Sequence, residues 1–385
     1  MLTAFHRLYS DVNAANLKVQ LTHTPKEKLA PENLTFGTTF SDHMLEIDWD
    51  AKDGWHDPHI VPFGNLELHP ASSALHYGLE CFEGMKAYID GEGKARLFRP
   101  MDNFNRLNDS CARLCMPKFN AKEVEKCLEE LVRLDKGWIP NKEGYSLYLR
   151  PTVIATHPIL GIAPAARVKL FVIASPVGPY YKDGFKPIKL WATKEYVRAF
   201  PGGTGNTKVG GNYGPGILAQ QQAASRGCSQ VLWLTPGTQC NGDLFCTEVG
   251  AMNQFFLWKD KKTGKPTLVT APLDGTILPG ITRRSILELV REDPEIKKMG
   301  ITVEERHYTI QEVCDTVKDG RMIEAFGCGT AAIVTPVNGI QFEDVDYAIP
   351  AGKDGVAGDL TNAVYHKMLS IQYGKEAHPW SVLLD

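Results

Sequence analysis

From position 202 the chain reads GGTGNTKVGGNYG, a single lysine (Lys208) among six glycines, directly ahead of a helical stretch. Glycine accepts positive φ and lets a backbone approach a ligand closely, so such a segment suits a loop wrapped around a bound group. A lysine desolvated in that loop can lose its charge and attack a carbonyl as the free amine. On this segment alone, a solvent-exposed glycine-rich turn with an ordinary surface lysine fits equally well.

The remainder of the chain must decide. At 385 residues it is long enough for two or three domains, and it needs no disulfide or metal staple. Forty-two basic against 45 acidic side chains give a net charge of −3, which offers no electrostatic case for nucleic acid. The longest strongly apolar stretch, Val168 to Ala174, is interrupted by Lys169 and falls far short of the roughly 20 residues a membrane span needs. The opening MLTAFHRLYSDVNAAN has no apolar core of a secretory signal and reads as an unstructured tail. Nine cysteines without a CxxC pair fit a reduced compartment, and Cys111 and Cys115, one helical turn apart, predict a buried helix face. His56 and His59 read as a surface turn, so no metal site is expected.

Periodicity divides the chain. Ala121 to Trp138 is an amphipathic helix through Val124, Cys127, Leu128, Leu131 and Leu134, with Asn120 and Glu123 as a capping box. Tyr145 to Ile154 reads as a strand with Leu147, Leu149 and Thr152 on one face and Tyr148, Arg150 and Val153 on the other. Val168 to Ala174 reads as a strand buried on both faces. The Pro- and Gly-dense stretch after Ser175 is the best linker. Beyond it, strands are expected at 188–192, 230–234, 255–258 and 331–334. Helices are expected at 215–226, 282–290, 309–317 and 359–373. The fold class is therefore α/β (α+β). A small N-terminal domain over 1–175 includes a tail and extension at 1–30, a linker covers 176–187, and a larger domain covers 188–385.

Walker, dinucleotide-fold, HExxH and G-x-S-x-G signatures are all absent. Two other segments bear on Lys208. Thr247-Glu248-Val-Gly-Ala-Met-Asn253 places a lone carboxylate before an apolar strand, where it could keep a pyridinium nitrogen protonated. Leu278-Pro-Gly-Ile-Thr282 opens a helix whose unpaired N–H groups suit an anion. Each reads alone as a strand-edge acid or a plain cap; together with Lys208 they describe a pyridoxal phosphate site.

GGTGNTKVGGNYG, TEVGAMN, LPGITRRS, SSALHYGLECFEGMKAY and FGTTFSDHM then make the chain resemble the branched-chain amino-acid aminotransferases of pyridoxal phosphate fold type IV, eukaryotic type, from about Phe36 to Tyr373. The resemblance implies two domains with the cofactor between them. It implies reversible transfer of the amino group of Leu, Ile or Val to 2-oxoglutarate, with Lys208 as Schiff-base lysine and proton shuttle. It places Tyr213 on the cofactor's O3′, Glu248 on the ring nitrogen, and Arg106, Ile281, Thr282 and Thr330 around the phosphate. Phe36, Phe82, Tyr148 and Tyr180 match the family's side-chain pocket, Tyr77 and Ala331 its carboxylate side, and Arg150 the cation for the distal carboxylate of 2-oxoglutarate. A homodimer acting on amino acids and 2-oxo acids in the cytoplasm is implied, with an organellar matrix as the other possibility.

Ala251 stands where mammalian members carry Thr, Cys328 replaces the usual Ser, and AAIVT lacks a CxxC, so no thiol switch of the mammalian kind is expected. The loop from Thr235 to Cys246 looks longer than the family norm. A D-amino-acid aminotransferase, an aminodeoxychorismate lyase, and a catalytically silent scaffold relative are the competing readings.

Overall fold

The computed structural model describes residues 10–179, 185–237 and 242–384. They divide into two compact units, one holding the described residues within 1–178, 208–210 and 371–385, the other those within 179–207 and 211–370.

The first unit is built on a ten-stranded sheet. Its central pair, Ser146–Ala155 and Arg167–Val177, is antiparallel over its whole length, with Met85–Ile89 and Ala95–Phe98 on one side and His43–Asp50 and His59–Pro62 on the other. One face packs Leu147, Leu149, Val153, Val168, Leu170 and Val172 against helices Pro100–Arg113 and Ala121–Leu134. This corrects two expectations. Val153 joins Leu147 and Leu149 in the core while Thr152 shares the face of Tyr148 and Arg150, because the pleat alternates without a break through Pro151. Arg167–Val177 alternates between buried and half-buried residues up to Ile173, so its second face is open for other use.

The helix expected to reach Trp138 ends at Leu134 and is followed by a short 3-10 turn at Lys136–Trp138. Asn120 caps it by accepting from the Lys122 N–H, but Glu123 does not close a capping box; it accepts from the Ala14 N–H (2.9 Å). Cys115 lies past the end of its helix, exposed and at φ +53°, whereas Cys111 is fully buried. The C-terminal strand Ser381–Leu384 pairs with Ala95–Phe98, so the tail belongs to this unit and not to the 188–385 domain drawn from the sequence. An unpaired sheet edge exposes backbone donors and acceptors, and the tail covers one.

The second unit is a nine-stranded sheet in which Leu244–Val249 pairs both with Gln230–Pro236 and with Met252–Lys259. That double pairing closes a ring through Gln230–Pro236, Ile188–Thr193, Ile333–Phe342, Met322–Gly329, Met252–Lys259 and Leu244–Val249. Its apolar core includes Leu190, Leu232, Val249, Phe256, Ala325 and Val337. Met322–Gly329 and Leu244–Val249 were not anticipated from the sequence. Four helices were, within a residue or two: Gly216–Ser225, Ile281–Glu292, Ile310–Lys318 capped by Thr309, and Asp359–Gln372; the short helix Pro294–Lys297 was not. Among the described residues, no helix is long and apolar enough to cross a membrane.

Candidate functional site

In the first unit the short strand Glu80–Phe82 lies between Ser146–Ala155 and the three residues Lys208–Gly210. Cys81 bridges Val209, and the Phe82 N–H donates to the Lys208 carbonyl (3.0 Å). The Lys208 N–H in turn donates to Ser110 Oγ (2.9 Å) on helix Pro100–Arg113. Backbone pairing therefore fixes where the lysine side chain starts. Its Nζ sits 4.9 Å from the Phe82 ring centroid, while the Arg150 guanidinium carbon sits 4.6 Å from that same centroid. Arg150 also lies 5.2 Å from the Tyr148 ring centroid, and its Nη2 donates to Tyr148 Oη (3.1 Å). Phe36 meets Tyr148 edge-on at 5.0 Å. A Cβ on Gly84 would fall 2.0 Å from Tyr148 Oη, so that close approach requires glycine. Lys208, Phe82, Tyr148, Arg150 and Phe36 are thus one cluster.

Arg106 is on helix Pro100–Arg113, turned inward. Its Nε and Nη2 donate to the two oxygens of Glu83 (2.7 and 2.8 Å), and Asn103 Nδ2 donates to the same carboxylate (2.8 Å). Glu83 is fully buried, so the pair is a desolvated bidentate one with fixed geometry. Sequence reasoning assigned Glu83 no role. It also passed over Lys86, which is buried opposite Tyr148 and therefore on the same sheet face. Burial pulls the Lys86 ammonium down to about 8. A lysine inside the otherwise apolar strand Met-Lys-Ala-Tyr-Ile was the available signal.

Tyr77 is not in this cluster. It is 40% exposed, and its hydroxyl donates to the Leu160 carbonyl. Tyr180 lies outside the described residues.

In the second unit Glu248 occupies the strand that closes the ring, paired with Asn253 across the Gly250–Ala251 turn. It is 2% exposed and doubly held: Arg198 Nη1 lies 2.5 Å from Oε2, and Asn253 Nδ2 donates to Oε1 (2.9 Å). The same amide donates to the Leu278 carbonyl (3.0 Å), and Arg198 reaches the carbonyls of Gly205 and Thr276 (3.4 Å each). Arg198, which sequence reasoning missed, thereby ties the acid to the glycine-rich loop and to the turn before helix Ile281–Glu292. At that helix start no side chain caps the N-terminus, Ile281 and Thr282 are buried, and a Cβ on Gly280 would strike Asn253 Oδ1 at 2.0 Å. Thr330 and Ala331 form the turn after strand Met322–Gly329, which Asn253↔Cys328 pairing sets beside the Gly250–Ala251 turn. The turn ends at Ile333, a β-branched residue at φ +63°, a conformation worth about 1–3 kcal/mol of strain. Tyr213 lies half-buried in the turn that opens helix Gly216–Ser225. Cys328 is buried, which pushes its thiol well above the ordinary range. Among the described residues, no group of His, Cys, Asp and Glu is arranged to hold a metal ion.

Comparison with known proteins adds three findings. The amino-transferase class IV family model matches residues 80–340. The branched-chain-amino-acid aminotransferase of Dictyostelium discoideum is 47% identical over 391 residues, covering 100% of both chains, and the mitochondrial one of Schizosaccharomyces pombe is 46% identical, covering 94% of this chain and 84% of its own. Among solved structures, the branched-chain amino acid aminotransferase of Thermobaculum terrenum in its PLP form superposes with a TM-score of 0.68 at 22% identity, over 89% of this chain and 98% of that one, a likeness of fold.

Proposed function

The chain belongs to the amino-transferase class IV family and transaminates branched-chain amino acids, and on that premise we propose that 2-oxoglutarate is the amino acceptor, pyridoxal phosphate the cofactor and Lys208 the reacting amine. The observation that carries this reading is the Phe82 ring flanked by the Lys208 amine and the Arg150 guanidinium. A branched apolar side chain leaving the reacting carbon finds the Phe82, Tyr148 and Phe36 rings. A side chain ending in a carboxylate finds Arg150. One pocket serves both half-reactions.

The residues fit the cofactor on chemistry. A buried helix start with no capping side chain and a glycine at its N-cap suits a phosphate, and the buried Glu248 carboxylate suits a protonated ring nitrogen. When bound, pyridoxal phosphate supplies the electron sink that makes a substrate Cα–H bond acidic. Lys208 Nζ takes and returns that proton at Cα. Glu248, held by Arg198 and Asn253, would keep the proton on the ring nitrogen, and Tyr213 would donate to O3′. Arg106, the N–H groups of Ile281 and Thr282, and Thr330 bind the phosphate, and Ala331 lines the carboxylate side.

The working form in this reading is a homodimer. Leu75, Tyr77, Leu160 and Ile162 are 58, 40, 65 and 82% exposed, on two segments joined by the Ser73 N–H to His157 carbonyl bond and the Tyr77–Leu160 contact. An apolar patch of this kind marks an interaction surface, and Tyr77 on it fits a role at the site of a second copy. Cytosolic and mitochondrial relatives both exist, and we place this chain in the cytoplasm.

The test is the visible absorbance of purified protein incubated with pyridoxal phosphate, before and after L-leucine, for wild type and Lys208→Ala. A band present in wild type, lost on adding leucine and missing in the variant is the expected result. Response to D-alanine but not leucine would replace the substrate class, and no band at all would leave a scaffold protein.

A further inference from the structure

Resting on the reading that the Tyr148 face receives the substrate side chain, we propose that Ser175 is a specificity-determining residue whose hydroxyl joins Arg150 in binding the distal carboxylate of the diacid acceptor. Ser175 lies on Arg167–Val177 directly opposite Tyr148. Directly opposed residues of an antiparallel pair share a face, and the diagonal neighbour, here Arg150, stands about 7–8 Å away. Lys86 faces Tyr148 from the other flank, so Lys86, Tyr148 and Ser175 form one row across three strands.

Two features of this face lack an internal explanation. Ser175 is 4% exposed, yet its Oγ has no hydrogen-bond partner among the described residues. Arg150 Nε is likewise buried without a partner. A hydroxyl desolvated with nothing to bond is unfavourable, and an alanine of nearly the same size would pack there at no such cost. Two unused donors on one face, one of them cationic, require an acceptor that bridges them. An ionised carboxylate is acceptor-only and has lone pairs for both. The side chains of leucine, isoleucine and valine offer none, so the hydroxyl contributes to the diacid alone and sets the balance between the two half-reactions.

The experiment is steady-state kinetics on the holoenzyme, with 2-oxoglutarate and 4-methyl-2-oxopentanoate as competing acceptors, for wild type, Ser175→Ala, Ser175→Cys and Arg150→Gln. Thermal melting with and without glutarate accompanies it. In Ser175→Ala the ratio of KM for 2-oxoglutarate to KM for the branched acceptor rises about tenfold, the size expected for one hydrogen bond to a charged group. The change appears in KM and not kcat, Ser175→Cys falls between, and glutarate no longer raises the melting temperature as far. A ratio within about twofold of wild type overturns the assignment. So does a lower melting temperature with both KM values rising together, which would mark a structural hydroxyl. If Arg150→Gln also leaves the ratio unchanged, the reading of this face under the proposed function has failed, and not Ser175 alone.

Discussion

Among the described residues, each unit has a buried carboxylate–guanidinium pair whose carboxylate also accepts from an asparagine amide. In the first unit Glu83 holds Arg106, with Asn103 on the carboxylate; in the second Arg198 holds Glu248, with Asn253 on the carboxylate. The parts are the same and the polarity is reversed. In the proposed function the first trio presents its cation to a phosphate, and the second presents its anion to a ring nitrogen. Desolvation makes either charge expensive alone, so each ligand-facing group needs a buried counter-charge behind it. The difference teaches that, in the proposed function, the holder matters as much as the presenter.

The largest effect lies outside both trios and sets the floor for them. Lys208→Ala lowers kcat by about 10⁴-fold, the upper end of what one acid–base group supplies, measured by leucine turnover with added pyridoxal phosphate. Next, the two trios separate by what they lose. Glu83→Gln leaves Arg106 buried and unpaired and lowers unfolding free energy by about 3–5 kcal/mol, read by urea denaturation. Glu248→Gln lowers kcat by about 10²–10³-fold. If both variants behaved alike in stability and rate, the reversed-polarity comparison would be wrong.

Lys86 sharpens the comparison as a buried cation whose titration is displaced by burial. Burial keeps its pKa near 8 in the folded chain against 10.5 ordinarily. Between those values the unfolded chain carries a proton that the folded one lacks, so stability rises with pH across that window, by at most about 1.4 kcal/mol per unit. Below pH 8 the penalty is fully present. Lys86→Met removes this rise, so the variant's advantage in melting temperature shrinks between about pH 8 and 10. A constant difference would show that Lys86 does not titrate there. The smallest effect compares one helix cap from each unit. Asn120→Ala and Thr309→Ala each lower stability by about 1 kcal/mol, because each removes a side chain accepting a first-turn N–H.

The presenters were legible in the sequence and the holders were not. Lys208 and Glu248 sit in segments whose residue pattern marks them, Arg106 follows from the family resemblance alone, and in the proposed function all three face the cofactor. Glu83 lies 23 residues from Arg106, and Arg198 is farther still from Glu248, with nothing local linking either pair. The buried row of Lys86, Tyr148 and Ser175 draws on three strands and has no signature along any one of them.

What the sequence determined by itself is what repeats within one turn or one pleat. Val124, Cys127, Leu128 and Leu131 are all buried on helix Ala121–Leu134, and Thr309 caps its helix where expected, because both depend on residues three or four apart. Tertiary structure alone decided the closure of the ring at Glu248 and Asn253, the addition of Ser381–Leu384 to the first unit's sheet, and the face on which Thr152 and Val153 lie. Strand pairing joins residues far apart in the chain, and a one-residue change of phase moves every side chain to the opposite face.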